Sequence, residues 1–454
     1  MAQMSQAGDL TSGPMLKKII LFSLPLAASS FLQLLFNAAD VVVVGRFAGS
    51  AALAAVGSNG ALINLLVNLF VGLALGANVV AARCYGAKDD QGVHEAVQTA
   101  VTLSLVGGVL MAFVGFFAAH GLLELMSSPE DVIDLATLYL KIYFIGMPMT
   151  MLYNFNASLL RAVGDTRRPL VCLAVAGVIN VVLNLLFVIV FQMSVAGVAL
   201  ATILSQTVSA IMVTVLLVRE EGAMHLDLRH LGIHKKAMLQ IIQIGLPAGL
   251  QSTVFSLSNV VIQSSVNIFG NIVVAGNSAA ANLEGFVYMA MNAFYQTTLS
   301  FVSQNYGAGE QKRIHRIVLL GEACVIVTGT LLGNAVVFFG NELLHIYSSN
   351  PEVIAAGIVR LHYISMVYAL CGIMDVMVGA LRGIGYSVMP MIVSIVGVCV
   401  LRLVWLATVF QIPAYHRIET VYLSYPVTWI LTSLVYIVFF IWVRVRTCRK
   451  SAAA

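Results

Sequence analysis

Twelve long apolar runs, separated by short polar breaks, constrain this chain more than any other feature. About 20 apolar residues carry a helix across a bilayer, and the runs fall at roughly 16–45, 51–82, 93–119, 132–157, 169–191, 195–218, 238–268, 274–304, 314–340, 353–379, 388–412 and 420–446. Only 10% of the 454 residues are charged and 60% are hydrophobic, whereas a soluble domain carries about 25% charged residues. The expected fold class is therefore all-α and polytopic, with twelve transmembrane helices. Several runs exceed the length needed to cross, so tilts, kinks or extensions beyond the bilayer are expected.

An even number of spans places both termini on one side, and basic residues mark the cytoplasmic face. With the termini inside, all but five of the 24 basic residues lie in cytoplasmic breaks. The exceptions are Arg46 and Arg417 at the far face, and Lys141, Arg360 and Arg402 within spans. The net charge of +4 thus reads as a topology signal in a cytoplasmic (inner) membrane, with no nucleic-acid partner. The polar stretch from Met1 to Pro14 lacks the features of a cleaved signal, so the first apolar run counts as a helix. The six cysteines show no paired or metal-ligand spacing.

The chain also repeats itself. LLRAVGDTRRPL, from Leu159 to Leu170, returns as ALRGIGYSVMPM, from Ala380 to Met391. At an offset of 221 or 222, Pro25 meets Pro247, Asn37 meets Asn259, Tyr85-Gly86-Ala87 meets Tyr306-Gly307-Ala308, and Pro129 meets Pro351. In the first motif pair a glycine turns the chain, a proline opens the next helix, and an arginine holds the end at the inner face. Each copy holds an even number of spans, so the copies run parallel, as two six-helix lobes related by a pseudo-two-fold axis along the membrane normal. The lobes are expected at residues 1–218 and 237–454, joined by a cytoplasmic linker over 219–236. Two such halves suit a transporter that exposes a central cavity to each side in turn.

Several segments in their order and spacing carry a resemblance: ADVVVVGR from Ala39, CYGAKD from Cys84, QNYGAGE from Gln304, the two LR…G…P motifs, and the stretch from Asn180 to Gln206. The chain resembles the multidrug and toxic compound extrusion (MATE) family of bacterial type, in its DinF-like or NorM-like branches, over nearly its whole length. The resemblance implies an antiporter that exports cationic or amphipathic small molecules against an inward proton or sodium gradient. It also implies a polar site in the N-terminal lobe, at the positions of Asp40, Asn180, Asn184 and Thr202. Where this sequence has Asn184 the family usually has aspartate.

The residues support that site on their own terms. An ionisable group inside a membrane costs about 2.5–3.5 kcal/mol on insertion scales, so it must pair, face a cavity or serve a function. Only Asp40, Glu284, Asp375 and Glu322 place a carboxylate well inside the spans. Asp40 shares a helix face with Gln33 and Asn37, and Pro25 upstream removes one backbone hydrogen bond and can act as a hinge. One carboxylate among amides offers less charge than a two-carboxylate cage, which favours a proton over sodium as coupling ion while retaining both. The second lobe places Ile262 opposite Asp40, but Gln251, Asn259, Gln263 and Asn267 keep a polar stripe there. Glu284 and Asp375 are candidates for a substrate or ion pathway, or for a buried structural pair; Glu322, near a helix end, is expected to snorkel or to pair with a loop.

Other readings are a flippase for a lipid-linked precursor, which calls for more basic residues in the spans, and a membrane receptor or scaffold, which needs no duplicated halves. Signatures of phosphate loops, zinc proteases and serine hydrolases are absent, so the chain is read as no enzyme, with no cofactor and no metal. Its expected partners are amphipathic or cationic small molecules and membrane lipids, and it is expected to be monomeric. His225, His230 and His234 are read as part of a solvated linker, and Trp405, Trp429 and Trp442 as interfacial anchors. Arg402 is left between a carboxylate partner and snorkelling.

Overall fold

The chain folds almost entirely into helices in a computed structural model that describes residues 9–125 and 130–453. Pro129 lies outside these residues, as do the side chains of Arg446, Cys448, Arg449 and Lys450. The first half contains α1 (Met15–Phe47), α2 (Ser50–Gly86), α3 (Asp90–Leu125), α4 (Glu130–Ile145), α5 (Met147–Ala162), α6 (Arg167–Leu185) and α7 (Ser194–Arg219). The second contains α8 (Lys235–Asn267), α9 (Asn271–Gly307), α10 (Gln311–Phe338), the short α11 (Gly340–His345), α12 (Pro351–Ile364), α13 (Ala369–Gly383), α14 (Val388–Ser394), α15 (Leu401–Ala407) and α16 (Ile418–Ala453).

These elements are the twelve spans. Eight spans are single stretches long and apolar enough to cross a membrane, and two more are bent pairs. The fourth span breaks by 49° between Ile145 and Met147, and the tenth by 45° before Ala369. Pro148 explains the first break: a helix-interior proline lacks the donor that would continue the ladder. The last two spans, α8 and α9, are long enough but less apolar. Their glutamines and asparagines, which hydrogen-bond within the protein, account for the difference.

The repeated motifs are helix ends of one design. After α5, the Asp165 amide bonds the Leu160 carbonyl and the Gly164 amide bonds that of Arg161, at 3.0 Å each. After α13, Tyr386 bonds Leu381 and Gly385 bonds Arg382, at 2.9 Å each. This pair of six-to-one and five-to-two bonds requires a left-handed residue at its centre, and Gly164 (φ 90°) and Gly385 (φ 96°) supply it. The CYGAKD and QNYGAGE segments end α2 and α9 similarly, with Asp89 bonded to Cys84 at 3.0 Å and Glu310 to Asn305 at 2.9 Å. The duplicated letters therefore encode chain reversals.

Two compact units emerge from the packing. One comprises Met1–Ser12, Leu24–Gly249 and Gly307–Gly309; the other comprises Gly13–Ser23, Leu250–Tyr306 and Glu310–Ala454. In the first, α5 packs against α2, α3 and α7, and α6 lies along α7. Buried asparagines tie the helices: Asn78 donates to the Ser158 carbonyl at 2.8 Å, and Asn156 to the Thr214 hydroxyl at 2.8 Å. The segment between α7 and α8 folds back on this unit, with Leu226 fully buried and the His234 amide donating to Thr99 at 3.0 Å. Its histidines do not converge. His230 pairs with Asp227 at 2.6 Å and holds that carboxyl below its usual range, while His225 meets the Glu220 carbonyl at 3.2 Å.

In the second unit, α13 packs between α10 and α16. Trp429 corrects an expectation here: it is buried, and its ring meets those of Tyr368 and Tyr425. Trp405 donates its indole N–H to the Thr420 carbonyl at 2.9 Å. Trp442 is half exposed, as an interfacial residue would be.

Candidate functional site

The first unit brings together the four polar residues expected there. Asp40 lies on α1, Asn180 and Asn184 share one face of α6, and Thr202 lies on α7. The Asn184 amide donates both to the Asp40 carboxylate and, at 3.1 Å, to the Asn180 carbonyl oxygen. The Thr202 hydroxyl is within hydrogen-bonding reach of the same carboxylate, and also bonds the Val198 carbonyl at 3.0 Å. Asn180 and Asn184 are buried, whereas Asp40 and Thr202 keep partial exposure. Asn184 Oδ1 is buried and accepts no hydrogen bond.

Local packing sets this geometry. Gly177 sits one turn before Asn180 and two before Asn184, and Phe36 sits one turn before Asp40. A Cβ on Gly177 would lie 1.7 Å from the Phe36 ring, less than half an ordinary contact distance. The missing side chain thus lets α1 lie close against α6. Immediately after Asn184, the helix widens into a π-turn over Leu186–Val190, a backbone irregularity common at functional sites. Pro25 is buried and α1 runs through it unbroken; Ser29 bonds the Pro25 carbonyl at 2.8 Å.

The remaining polar residues of α1 do not join the cluster. Gln33 and Asn37 are exposed and hydrogen-bond to none of the described residues. A residue that sequence reading missed does lie near. Tyr139 of α4 is buried within electrostatic reach of Asp40 and stacks on Tyr143. A tyrosine in an apolar run gives no signal of its own before the helices are packed.

The second unit separates its polar groups into two clusters. In one, Arg360 clamps Glu284 through two bonds of 3.0 and 2.6 Å and donates to Asn277 at 2.7 Å. Asn277 donates to Gln263 at 3.1 Å, and Gln263 to Asn267 at 2.9 Å. Glu284 is thus a member of a buried ion pair. In the other cluster, Tyr288 hydrogen-bonds Asp375 and is bonded in turn to Asn292, which accepts from Gln296 at 2.9 Å. Gln251 accepts from Arg382 at 2.8 Å, while Asn259 is exposed.

Glu322 departs from expectation. Both its carboxylate oxygens are buried without a hydrogen bond, and it lies within electrostatic reach of Asp375. The helix turns this side chain inward, so it does not snorkel. Arg402 likewise follows neither expectation, pairing with no carboxylate among the described residues and not snorkelling: it is buried, stacks 3.9 Å from the centre of the Tyr425 ring and donates to Thr428 at 3.0 Å. Among the described residues, no cluster of three or more histidine, cysteine or acidic side chains could hold a metal ion.

Comparison with known proteins agrees with the fold and its duplication. The sequence model of the MatE family matches residues 25–186 and again 247–408. The chain is 31% identical over 397 residues to the "Probable multidrug resistance protein YpnP" of Bacillus subtilis, covering 87% of this chain and 89% of that protein. It is 26% identical to YoeA of the same organism, another probable multidrug resistance protein, covering 92% of each. Among solved structures, a MATE protein in its bent conformation aligns with a TM-score of 0.88 at 22% identity, over 99% of both chains. The twice-matched family pattern, the twelve helices and the extent of these likenesses place the chain in the MatE family of multi-pass membrane transporters.

Proposed function

We propose that the protein is a proton-coupled antiporter exporting cationic or amphipathic small molecules, with Asp40 as the coupling group. One observation carries this reading. Asp40 is the intramembrane carboxylate of the first unit whose hydrogen-bond partners are all neutral, Asn184 and Thr202. Glu284, by contrast, is already neutralised by Arg360. The charge on Asp40 is therefore left for a mobile cation to balance.

The partners of Asp40 suit an exchange of protons. When charged, the carboxylate accepts from the Asn184 amide, a bond about twice as strong as a neutral one. On protonation that bond weakens and the carboxyl gains a donor, for which Asn184 Oδ1, with no bond of its own, is a ready acceptor after the amide turns. Protonation thus changes how firmly α1 is held against α6, and Pro25 offers a hinge where α1 can bend. One carboxylate with two amides and a hydroxyl also leaves sodium as an alternative ligand.

In the cycle, a proton entering from outside occupies Asp40 and lowers substrate affinity in the outward-facing state; its release inside resets the site. Coupling requires that proton and substrate favour opposite states, because a ligand shifts an equilibrium only by its differential affinity. On this reading the two lobes, residues 1–218 and 237–454 with the linker between, alternate in access, and the basic breaks support cytoplasmic termini in an inner-membrane protein. Multidrug resistance relatives support the substrate class. The test is efflux of a cationic dye from inside-out or whole-cell preparations under an imposed proton or sodium gradient. The proposal expects a response to the proton gradient that Asp40→Asn abolishes; proton-driven efflux surviving in Asp40→Asn would overturn it.

A further inference from the structure

The duplication lets each lobe be compared with the other residue by residue. The two family matches, 25–186 and 247–408, are offset by 222. From Pro25 and Pro247 that offset pairs Asp40 with Ile262; in the helix pair opened by Pro169 and Pro390 the offset is 221 at the start and 222 at the end of the matches, and a residue taken up in the π-turn over Ile395–Val400 sets Arg402 and Leu406 against Asn180 and Asn184. Ile262 and Leu406 pack in one apolar cluster with Val266, Phe410 and Val421. Where the first unit joins a carboxylate and an amide, the second therefore has an apolar cluster. The one charged group at the corresponding positions is a cation, Arg402.

Its charge is not balanced by a side chain. Arg402 is 3% exposed, its Nε is buried without an acceptor, and its one hydrogen bond goes to the neutral Thr428 hydroxyl. Among the described residues no carboxylate pairs with it, and the nearby second cation, Arg360, has already taken Glu284. Tyr425 faces both guanidiniums, at 3.9 Å from Arg402 and 5.7 Å from Arg360. A ring face attracts cations but carries no net charge. Two guanidiniums and one carboxylate leave this region with one positive charge in excess, and a guanidinium does not shed its proton to relieve it. A buried charge without a counter-charge is strongly disfavoured. The backbone beside it is irregular, as at Asn184: a π-turn over Ile395–Val400 runs directly into α15.

We propose that Arg402 anchors an anion-binding site in the second unit, which takes a monovalent anion beside the Tyr425 ring: a halide, or the carboxylate of an aromatic acid. The site is the counterpart of the Asp40 cluster with its polarity reversed. It does not depend on which ion Asp40 carries.

The experiment follows thermal unfolding of the purified protein in neutral detergent at constant ionic strength, with sodium gluconate replaced stepwise by sodium chloride or by sodium benzoate. A saturable rise in the unfolding midpoint is expected, from chloride alone if the site takes a halide and more strongly from benzoate if it takes a carboxylate. Arg402→Gln should abolish the dependence, and Arg402→Lys, which keeps the charge, should retain a weaker one. Should Arg402→Gln fail to fold, line broadening of chloride-35 by the wild-type protein, reversed by benzoate, reads the site directly. A midpoint indifferent to the anion together with no chloride-35 broadening, or an undiminished shift in Arg402→Gln, would overturn the proposal.

Discussion

Replacing Gly177 by alanine tests how the Asp40 cluster is built. The added Cβ would lie 1.7 Å from Phe36 Cε2 and 1.8 Å from Cζ, against roughly 3.5–4.0 Å for carbon atoms in contact. A displacement of about 2 Å is therefore forced on either the ring or the helix that carries it. Overpacking of this kind costs about 1–3 kcal/mol. If α1 moves, the Asn184 bond to Asp40 one turn away is lost with it. A hydrogen bond to a charged group contributes about 1.5–3 kcal/mol, which corresponds to roughly a tenfold to hundredfold change in the equilibrium that couples proton to substrate. We expect Gly177→Ala to lower proton-driven dye efflux by at least about tenfold, with the folded protein recovered. Phe36→Ala should remove the clash, so the double variant should transport better than Gly177→Ala alone, and the double-mutant cycle should show a coupling above about 0.5 kcal/mol. Wild-type efflux in Gly177→Ala with no coupling to Phe36 would show that close packing of α1 on α6 does not hold the site.

The buried pair in the second unit should behave as structure. Glu284→Gln or Arg360→Gln alone leaves a buried charge unpaired and is expected to destabilise by about 3–5 kcal/mol, while the double substitution costs less than the sum, as thermal unfolding in detergent would show. Glu322, whose oxygens have no hydrogen-bond partner, should accept Glu322→Gln with unchanged or raised thermal stability, because an amide of the same shape removes a like charge from beside Asp375.

Much of this protein is written in local signals. Span positions follow from apolar length, and the lobes follow from the repeated helix ends, because a left-handed residue at Gly164 or Gly385 is a requirement of the turn itself. Single members of the Asp40 cluster were legible for a similar reason: Asn180 and Asn184 share a face by spacing alone, and a carboxylate in an apolar helix announces itself. That they meet was implied by the family resemblance and not by spacing. What the sequence did not reveal depends on which helix lies beside which. Arg360 and Glu284 stand 76 residues apart, and nothing local marks them as partners. Glu322, expected near a helix end, lies three turns inside α10, which turns it toward Asp375. Tyr139 and Tyr425 acquire meaning only from the charged groups packed beside them, and Gln33 and Asn37 share the face of Asp40 but not its bonds.

The central claim is that Asp40 carries the coupling proton, a role separate from carrying the substrate. Reconstituted vesicles separate these roles, by comparing substrate–substrate exchange at equal pH with uphill substrate movement driven by a proton gradient. The account predicts that Asp40→Asn, which mimics the protonated group, retains substrate exchange with a weaker outward-facing affinity and loses the proton-driven movement entirely. Uphill transport by Asp40→Asn at the wild-type dependence on proton gradient would contradict it.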